Sequence, residues 1–161
     1  LNIAVTKATG RKLMLRDKPS ERYPGQHGDF SLVNGLRSEK GLSSPDWLGW
    51  EGKDLDAVID FGVPEKFSTV RIHTIDQAGS WVYLPKAVEV YTSANGKTFK
   101  KVGSSAEFVS DAMMMGYMSV RFSARQARFL KIVAKNFGTI PEGLPGAGNP
   151  AWLMIDEIQV L

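Results

Sequence analysis

Apolar residues in this chain recur at every second position in short runs, and almost nowhere at the spacing of a helix. Val70 and Ile72 alternate with Arg71 and His73; Val88 and Val90 alternate with Glu89 and Tyr91. Met118, Val120 and Phe122 alternate with Ser119 and Arg121, and Leu130 and Ile132 flank Lys131. Each run reads as a strand with one core face and one wet face. Strands are expected over residues 3–7, 57–61, 69–75, 87–92, 99–103, 118–122, 129–134 and 153–160. Eight such runs separated by turn signals predict an all-β, antiparallel jelly-roll sandwich.

At 161 residues and 17.7 kDa the chain fits one domain, residues 1–161. Surface scaling gives a folded area of roughly 7,900 Å² against about 25,700 Å² unfolded, so a real core is available without staples. There is no cysteine, and the only histidines, His27 and His73, lie far apart, which excludes a disulfide scaffold and the usual zinc clusters. No apolar run is long enough to span a membrane as a helix. The chain starts at Leu1 and no signal-like segment follows, so a targeting signal and further domains are expected outside this sequence. Twenty basic and 17 acidic residues leave a net charge of +3. These charges are interspersed, and the densest positive group, Lys97, Lys100 and Lys101, reads as a solvated strand edge that discourages pairing. No nucleic-acid partner is expected.

Turns organise the rest. Asp60-Phe61-Gly62-Val63-Pro64 ends a strand sharply, and Ala94-Asn95-Gly96-Lys97 carries the Asn-Gly pair of a type I′ hairpin. Consecutive antiparallel strands alternate in direction. If the tight turns at 62–65, 94–97 and 123–126 share one pole, the long connections 8–55, 76–86, 104–117 and 136–151 gather at the other. All four tryptophans fall in those connections or at their edges. A pyranose presents an apolar face that packs on an aromatic ring, and hydroxyls that need fixed donors and acceptors at its rim. Residues 76–83 offer a ring, an amide and a carboxylate together. The candidate carbohydrate contacts are Trp81, Gln77, Asp76, Tyr83, Trp47 and Tyr23. For Trp81 the alternatives are a plug at the end of the core or a ligand platform. Trp47 and Trp50 cannot both be platforms, and Trp152 reads as core edge.

Two superficial matches fail. Residues 143–148 lack dinucleotide-loop spacing and precede a strand, and Gly96-Lys97-Thr98 lacks the leading glycine and following helix of a phosphate loop. No acid, base or nucleophile converges, so no catalytic residue is assigned. His73 reads as a surface histidine. Asp156 and Glu157 are adjacent on a strand and should point to opposite faces. One of them then falls on a core-facing row, where it needs an arginine, backbone N–H groups or a cation. Residues 31–36 form a loop suited to supplying carbonyl oxygens to calcium.

The segments Leu32-Val33-Asn34-Gly35, Trp47 with Asp60-Phe61-Gly62, Val88 through Gly96, Ala127 through Ile132, and Asp156-Glu157-Ile158-Gln159-Val160 occur in the order of the discoidin-like, coagulation-factor type C family. That family includes the family 32 carbohydrate-binding modules, and the resemblance spans essentially the whole chain. Gly52-Lys53-Asp54-Leu55, Gly79-Ser80-Trp81, Leu84-Pro85-Lys86 and residues 145–153 are similar, more narrowly, to the C-terminal module of bacterial β-hexosaminidases (chitobiases). The resemblance implies a galactose-binding-domain-like jelly roll. It implies a non-catalytic, monomeric module exported to the periplasm, outer surface or exterior of a bacterium and joined to a glycoside hydrolase. Its partners would be glycans containing N-acetylhexosamine or galactose, and the catalytic domain in cis. It further implies a structural calcium at Asn34, Ser31, Leu36, Glu39 and Glu157, with Asn34 and Glu39 standing where the family has aspartate and threonine. Two alternatives remain open: a structural module that packs on its catalytic neighbour, and a phospholipid or protein adhesion module. For lipid, Leu13, Met14 and Leu15 between Arg11, Lys12 and Arg16 are the candidate spike.

Overall fold

The computed structural model describes residues 3–105 and 107–161. Nine strands follow in order: β1 (Lys12–Leu15), β2 (Gln26–Asp29), β3 (Leu48–Glu51), β4 (Leu55–Ile75), β5 (Ala87–Ser93), β6 (Lys100–Ser104), β7 (Glu107–Ser110), β8 (Met115–Lys135) and β9 (Trp152–Val160). All ladders among them are antiparallel, and eight of the nine strands form one hydrogen-bonded network.

β4 and β8 are 21 residues each. Straight, such a strand would run about 70 Å, far too long for a chain whose expected radius of gyration is about 15 Å. Their shared ladder instead folds over, with register breaks between Asp60 and Glu65 and between Phe67 and Thr69. Gly62 (φ +79°) and Pro64 sit in the first break, where no regular strand continues. The first half of β4 and the second half of β8 form one layer with β1, β5 and β6. The remaining halves form the opposite layer with β3, β7 and β9.

Between the layers lies one core. Ala57, Ile59 and Phe61 of the first half of β4 share it with Val70 and Ile72 of the second, with Val88, Val90, Met118, Val120, Leu130 and Ile132. These are the rows that the two-residue alternation predicts. The accessible surface, 7974 Å², matches the scaling expectation.

Several local expectations are corrected. Residues 3–7 form no strand, although Lys7 N–H donates to Val160 O and the segment runs beside β9. The 94–97 turn is not type I′, which needs left-handed backbone at both central residues: only Gly96 (φ +75°) has it. Side chains build the turn instead. Ser93 Oγ accepts from Gly96 N–H, and Asn95 Oδ1 accepts from Lys97 and Thr98 N–H. β1, β3 and β7 fill stretches read as loop, because four residues paired to a longer neighbour need little periodicity of their own.

The largest correction concerns β9. Leu153 and Ile155 face the core, but so do Ile158 and Val160, so the row skips two residues. A register shift in the β4–β9 ladder, between His73 and Thr74, accommodates the extra residue. Asp156 and Glu157 therefore both leave the core row on the same side, rather than pointing apart.

Candidate functional site

The register fixes which connections meet. Ile75 pairs with Met115, Leu55 with Ala134, and Ala87 with Lys135, so residues 76–86, 111–114, 136–151 and 52–54 converge at the pole opposite the bends. Buried Asn136 ties them together. Its Nδ2 donates to Trp50 O, Lys53 O and Ala151 O, and its main-chain N–H donates to Asp54 Oδ1. Asp76 N–H donates to Met114 O, joining the β4–β5 connection to the β7–β8 tip.

Trp81 stands on this pole, 41% exposed. A 3-10 turn at Ala78–Ser80 delivers the chain to it in left-handed conformation (φ +64°). Its N–H donates to Ala78 O, and its carbonyl accepts from Trp152 N–H. The backbone is pinned while the indole projects. One side of the ring rests on Gly146, where a Cβ would come within 2.6 Å of Cδ1, so only glycine fits beneath it. Gln77, half-buried, donates from Nε2 to Ser80 Oγ at 2.8 Å and pairs through its backbone with Val82. Asp76 is exposed beside it. Gln77 also borders an open depression of about 410 Å³ with Leu42, Met113 and Met114. Both methionines are exposed and left-handed (φ +54° and +66°), a conformation unbranched side chains seldom hold, and nothing in the sequence pattern signals it.

Other aromatic candidates are not platforms. Trp47 is 1% exposed; its Nε1–H donates to Gly41 O, and its ring lies parallel to His73, centroids 5.8 Å apart. Tyr83 is buried and stacked on Phe137 at 4.7 Å, with its hydroxyl donating to Pro145 O. Both complete the packing under the loops. Tyr23 is half-buried, edge-on to Trp152 at 5.2 Å, with Arg22 over both rings. Trp50 is buried as well. Of the six expected sugar contacts, Trp81 and Asp76 are exposed and Gln77 half-buried, all three on the connection between β4 and β5.

His73 is fully buried, contrary to its expected place on the surface. The β9 bulge explains this: it brings Asp156 beneath the 34–46 segment, and His73 Nδ1 meets Asp156 Oδ1 at 2.7 Å. Ser38 N–H donates to the other oxygen. His73 Nε2 lies 3.7 Å from Asp111 and has no hydrogen-bond partner. Burial pushes the Asp156 carboxyl above its ordinary range, against the lowering influence of its His73 bond.

Glu157 is buried next to it, accepting from Ile158 and Gly35 N–H, while its Oε2 finds no partner. Burial first, and the neighbouring Asp156 charge second, push its carboxyl up to about 9. Asn34 Oδ1 accepts from Leu36 N–H and its Nδ2 donates to His27 Nδ1. Ser31 Oγ accepts from His27 N–H. Glu39 is exposed at the rim of a cleft with Leu36, Arg37 and Asp46. Among the described residues no three His, Cys, Asp or Glu side chains group as metal ligands. A cation here would rest on the Glu157 and Glu39 carboxylates, one amide oxygen and main-chain carbonyls, a hard-oxygen set.

The candidate lipid spike is strand β1, paired to β4, with Leu13 and Leu15 packed against the core and only Met14 outward. It cannot insert into a bilayer without leaving the sheet. No helix among the described residues is long and apolar enough to cross a membrane.

The F5/8 type C domain family model matches residues 18–158. A comparison with curated protein sequences finds no match. Among solved structures, the Clostridium perfringens module CpGH89CBM32-5, in complex with GalNAc-β-1,3-galactose, aligns over 98% of this chain and 99% of its own length at 13% identity and TM-score 0.62. A Streptococcus pneumoniae fucose binding module aligns over 98% of this chain and 94% of its own, at 14% identity and TM-score 0.60. SpGH29 aligns over 97% of this chain at 13% identity and TM-score 0.58, and this chain spans 27% of that protein. At these identities the likeness is one of fold.

Proposed function

Because this chain belongs to the F5/8 type C (discoidin-like) family, we propose that it is a non-catalytic carbohydrate-binding module whose sugar docks on the loop-rich pole at Trp81. The observation that carries this reading is the exposed indole, held out by a pinned backbone, with Gln77 and Asp76 on the same short connection. The ring takes the apolar face of a pyranose, while the amide and carboxylate read its hydroxyls. N-acetylhexosamine or galactose units are the proposed ligands. Targeting of an attached, exported bacterial glycoside hydrolase of chitobiase type is the proposed role.

Calcium belongs to the same reading. Glu157, Asn34, Glu39 and the carbonyls of Ser31 and Leu36 would hold it, and when bound it would supply the positive charge that the orphaned Glu157 oxygen lacks. In the rival reading the module only packs on a catalytic neighbour. The burial of Trp47 and Tyr83 favours that reading, since it removes two of the expected platforms.

Titration calorimetry with galactose, N-acetylgalactosamine and N-acetylglucosamine separates the two. One shallow platform should give a Kd of about 0.1–1 mM, roughly −5.5 to −4 kcal/mol. Trp81→Ala should abolish binding and leave the fold intact. No response from the native protein up to tens of millimolar would leave the packing role.

A further inference from the structure

Away from the loop pole, the outer face of the β4–β8 ladder carries a second concavity. Thr69 and Arg71 of β4, and Tyr117, Ser119 and Arg121 of β8, alternate with core residues Val70, Ile72, Met118 and Val120, so they share the outer face. Arg71 pairs across the ladder with Ser119, and Thr69 with Arg121. With Arg37 from the covering segment, these residues line a groove of about 670 Å³, walled on its sides by exposed Val109 and Leu161.

Three guanidinium groups border this groove. Arg37 is paired with Asp111. Arg71 and Arg121 have no acidic partner within 4 Å among the described residues. Of the acids nearby, Asp111 lines the groove and is bonded to Arg37, Asp156 and Glu157 lie buried behind Tyr117, and Glu107 is opposite Ser119 on the edge strand β7. Arg71 lies over the Tyr117 ring with Cζ 3.8 Å from its centroid, and Arg37 stands 5.7 Å from the same ring. The tyrosine is itself fixed, its hydroxyl accepting from Gln159 Nε2 at 3.3 Å. Like charges gathered on one ring repel, an arrangement that an anion between them relieves.

We propose that this groove is a second ligand site, which binds the anionic group of an acidic sugar residue. A neutral pyranose would need a bare aromatic face, but a guanidinium covers Tyr117. A stacked guanidinium keeps its N–H edge free and in a set plane, the geometry that takes a carboxylate or sulfate ester through two parallel hydrogen bonds. Ser119 and Thr69 supply hydroxyls for the neighbouring ring positions, and the apolar walls suit sugar C–H groups. Carboxylate and sulfate ester share this chemistry, and the experiment separates them.

The test follows backbone amide NMR signals of the isotope-labelled protein at low salt. Its probes are a galacturonic acid trimer, galactose 6-sulfate, the neutral methyl ester of the trimer, and sodium sulfate. An acidic sugar should shift Arg71, Ser119 and Arg121. Affinity should fall about tenfold or more in the R71Q/R121Q double variant, be partly kept in R71K, and be unchanged in Trp81→Ala. It should also weaken several-fold as salt rises from about 0.02 to about 0.2 M. Whichever of the trimer and the sulfated sugar binds names the anionic group. The proposal is overturned if neither binds, if the methyl ester binds as well as the trimer, or if sodium sulfate binds as tightly as either sugar. Undiminished affinity in a natively folded double variant overturns it as well. Should the double variant misfold, the exposed single change Arg121→Gln carries the same comparison. Because Trp81→Ala addresses only the pole, failure of one site is distinguishable from failure of the other.

Discussion

Trp47 and Trp81 both sit on long, glycine- and serine-rich connections at the same end of the sandwich, yet one indole is sealed and the other stands in solvent. What lies behind each ring accounts for the difference. Trp47 closes over His73, which is bonded to Asp156, so its burial shields a polar cluster from water. Trp81 rests on the flat Cα surface of Gly146 and stays 41% exposed. A loop aromatic is pulled inward when a buried polar group needs a cover, and it remains available when its own main chain is already satisfied.

Deleting the sealed ring is the harshest way to probe this contrast. Trp47→Ala should cost about 3–5 kcal/mol, because it leaves a cavity beside the buried His73–Asp156 hydrogen bond. A lowered urea midpoint reads this directly, and a near-wild-type midpoint would make the two tryptophans equivalent. The acid under the same segment gives a smaller effect, with a sign. Glu157 ionises near 4.5 when exposed and at about 9 in the fold. Its neutral form is therefore favoured by folding. Its share of stability is whole below pH 4.5 and drains as pH rises towards 9. In chelator, unfolding free energy should fall as pH rises across that window. Adding calcium or substituting Glu157→Gln should flatten the slope. A flat profile in chelator would mean that the acid is satisfied without a cation. The mildest change tests the exposed ring. Gly146→Ala meets both the Trp81 ring and a φ of +86°. It should cost about 1–2 kcal/mol, and titration should show sugar affinity weakened several-fold because the indole is displaced.

Much of the layered core is legible before any coordinates. Val88, Val90, Leu130 and Ile132 announce their side of the sheet by parity alone, and they are buried where parity puts them. Parity is also fragile. One extra residue in β9 turns Glu157 to the same side as Asp156, and no local composition marks the slip. The fate of His73 depends on that slip, and on Ser38, which reaches Asp156 from 118 residues away. Trp81, Gln77 and Asp76 were readable as candidates because one short connection carries all three. The burial of Trp47 was not, since the carboxyl bonded to the histidine it covers comes from the far end of the chain. Leu13 and Leu15 teach a related lesson: their alternation with Lys12 and Met14 was strand periodicity, and adjacent basic residues gave it the look of a membrane spike.

Lys7 bonds to Val160, and Leu161 exchanges backbone bonds with Thr69 next to the bends. Polypeptide joined after Leu161 therefore departs from the side of the bends, far from Trp81. A domain held in this way swings on its attachment like a lamp on a stem, with its aromatic pole turned outward. For the weak sugar binding proposed above, that posture matters more than any single contact. The tether sets the local concentration at which the pole meets a polymer, and repeated weak capture can hold a neighbour in place.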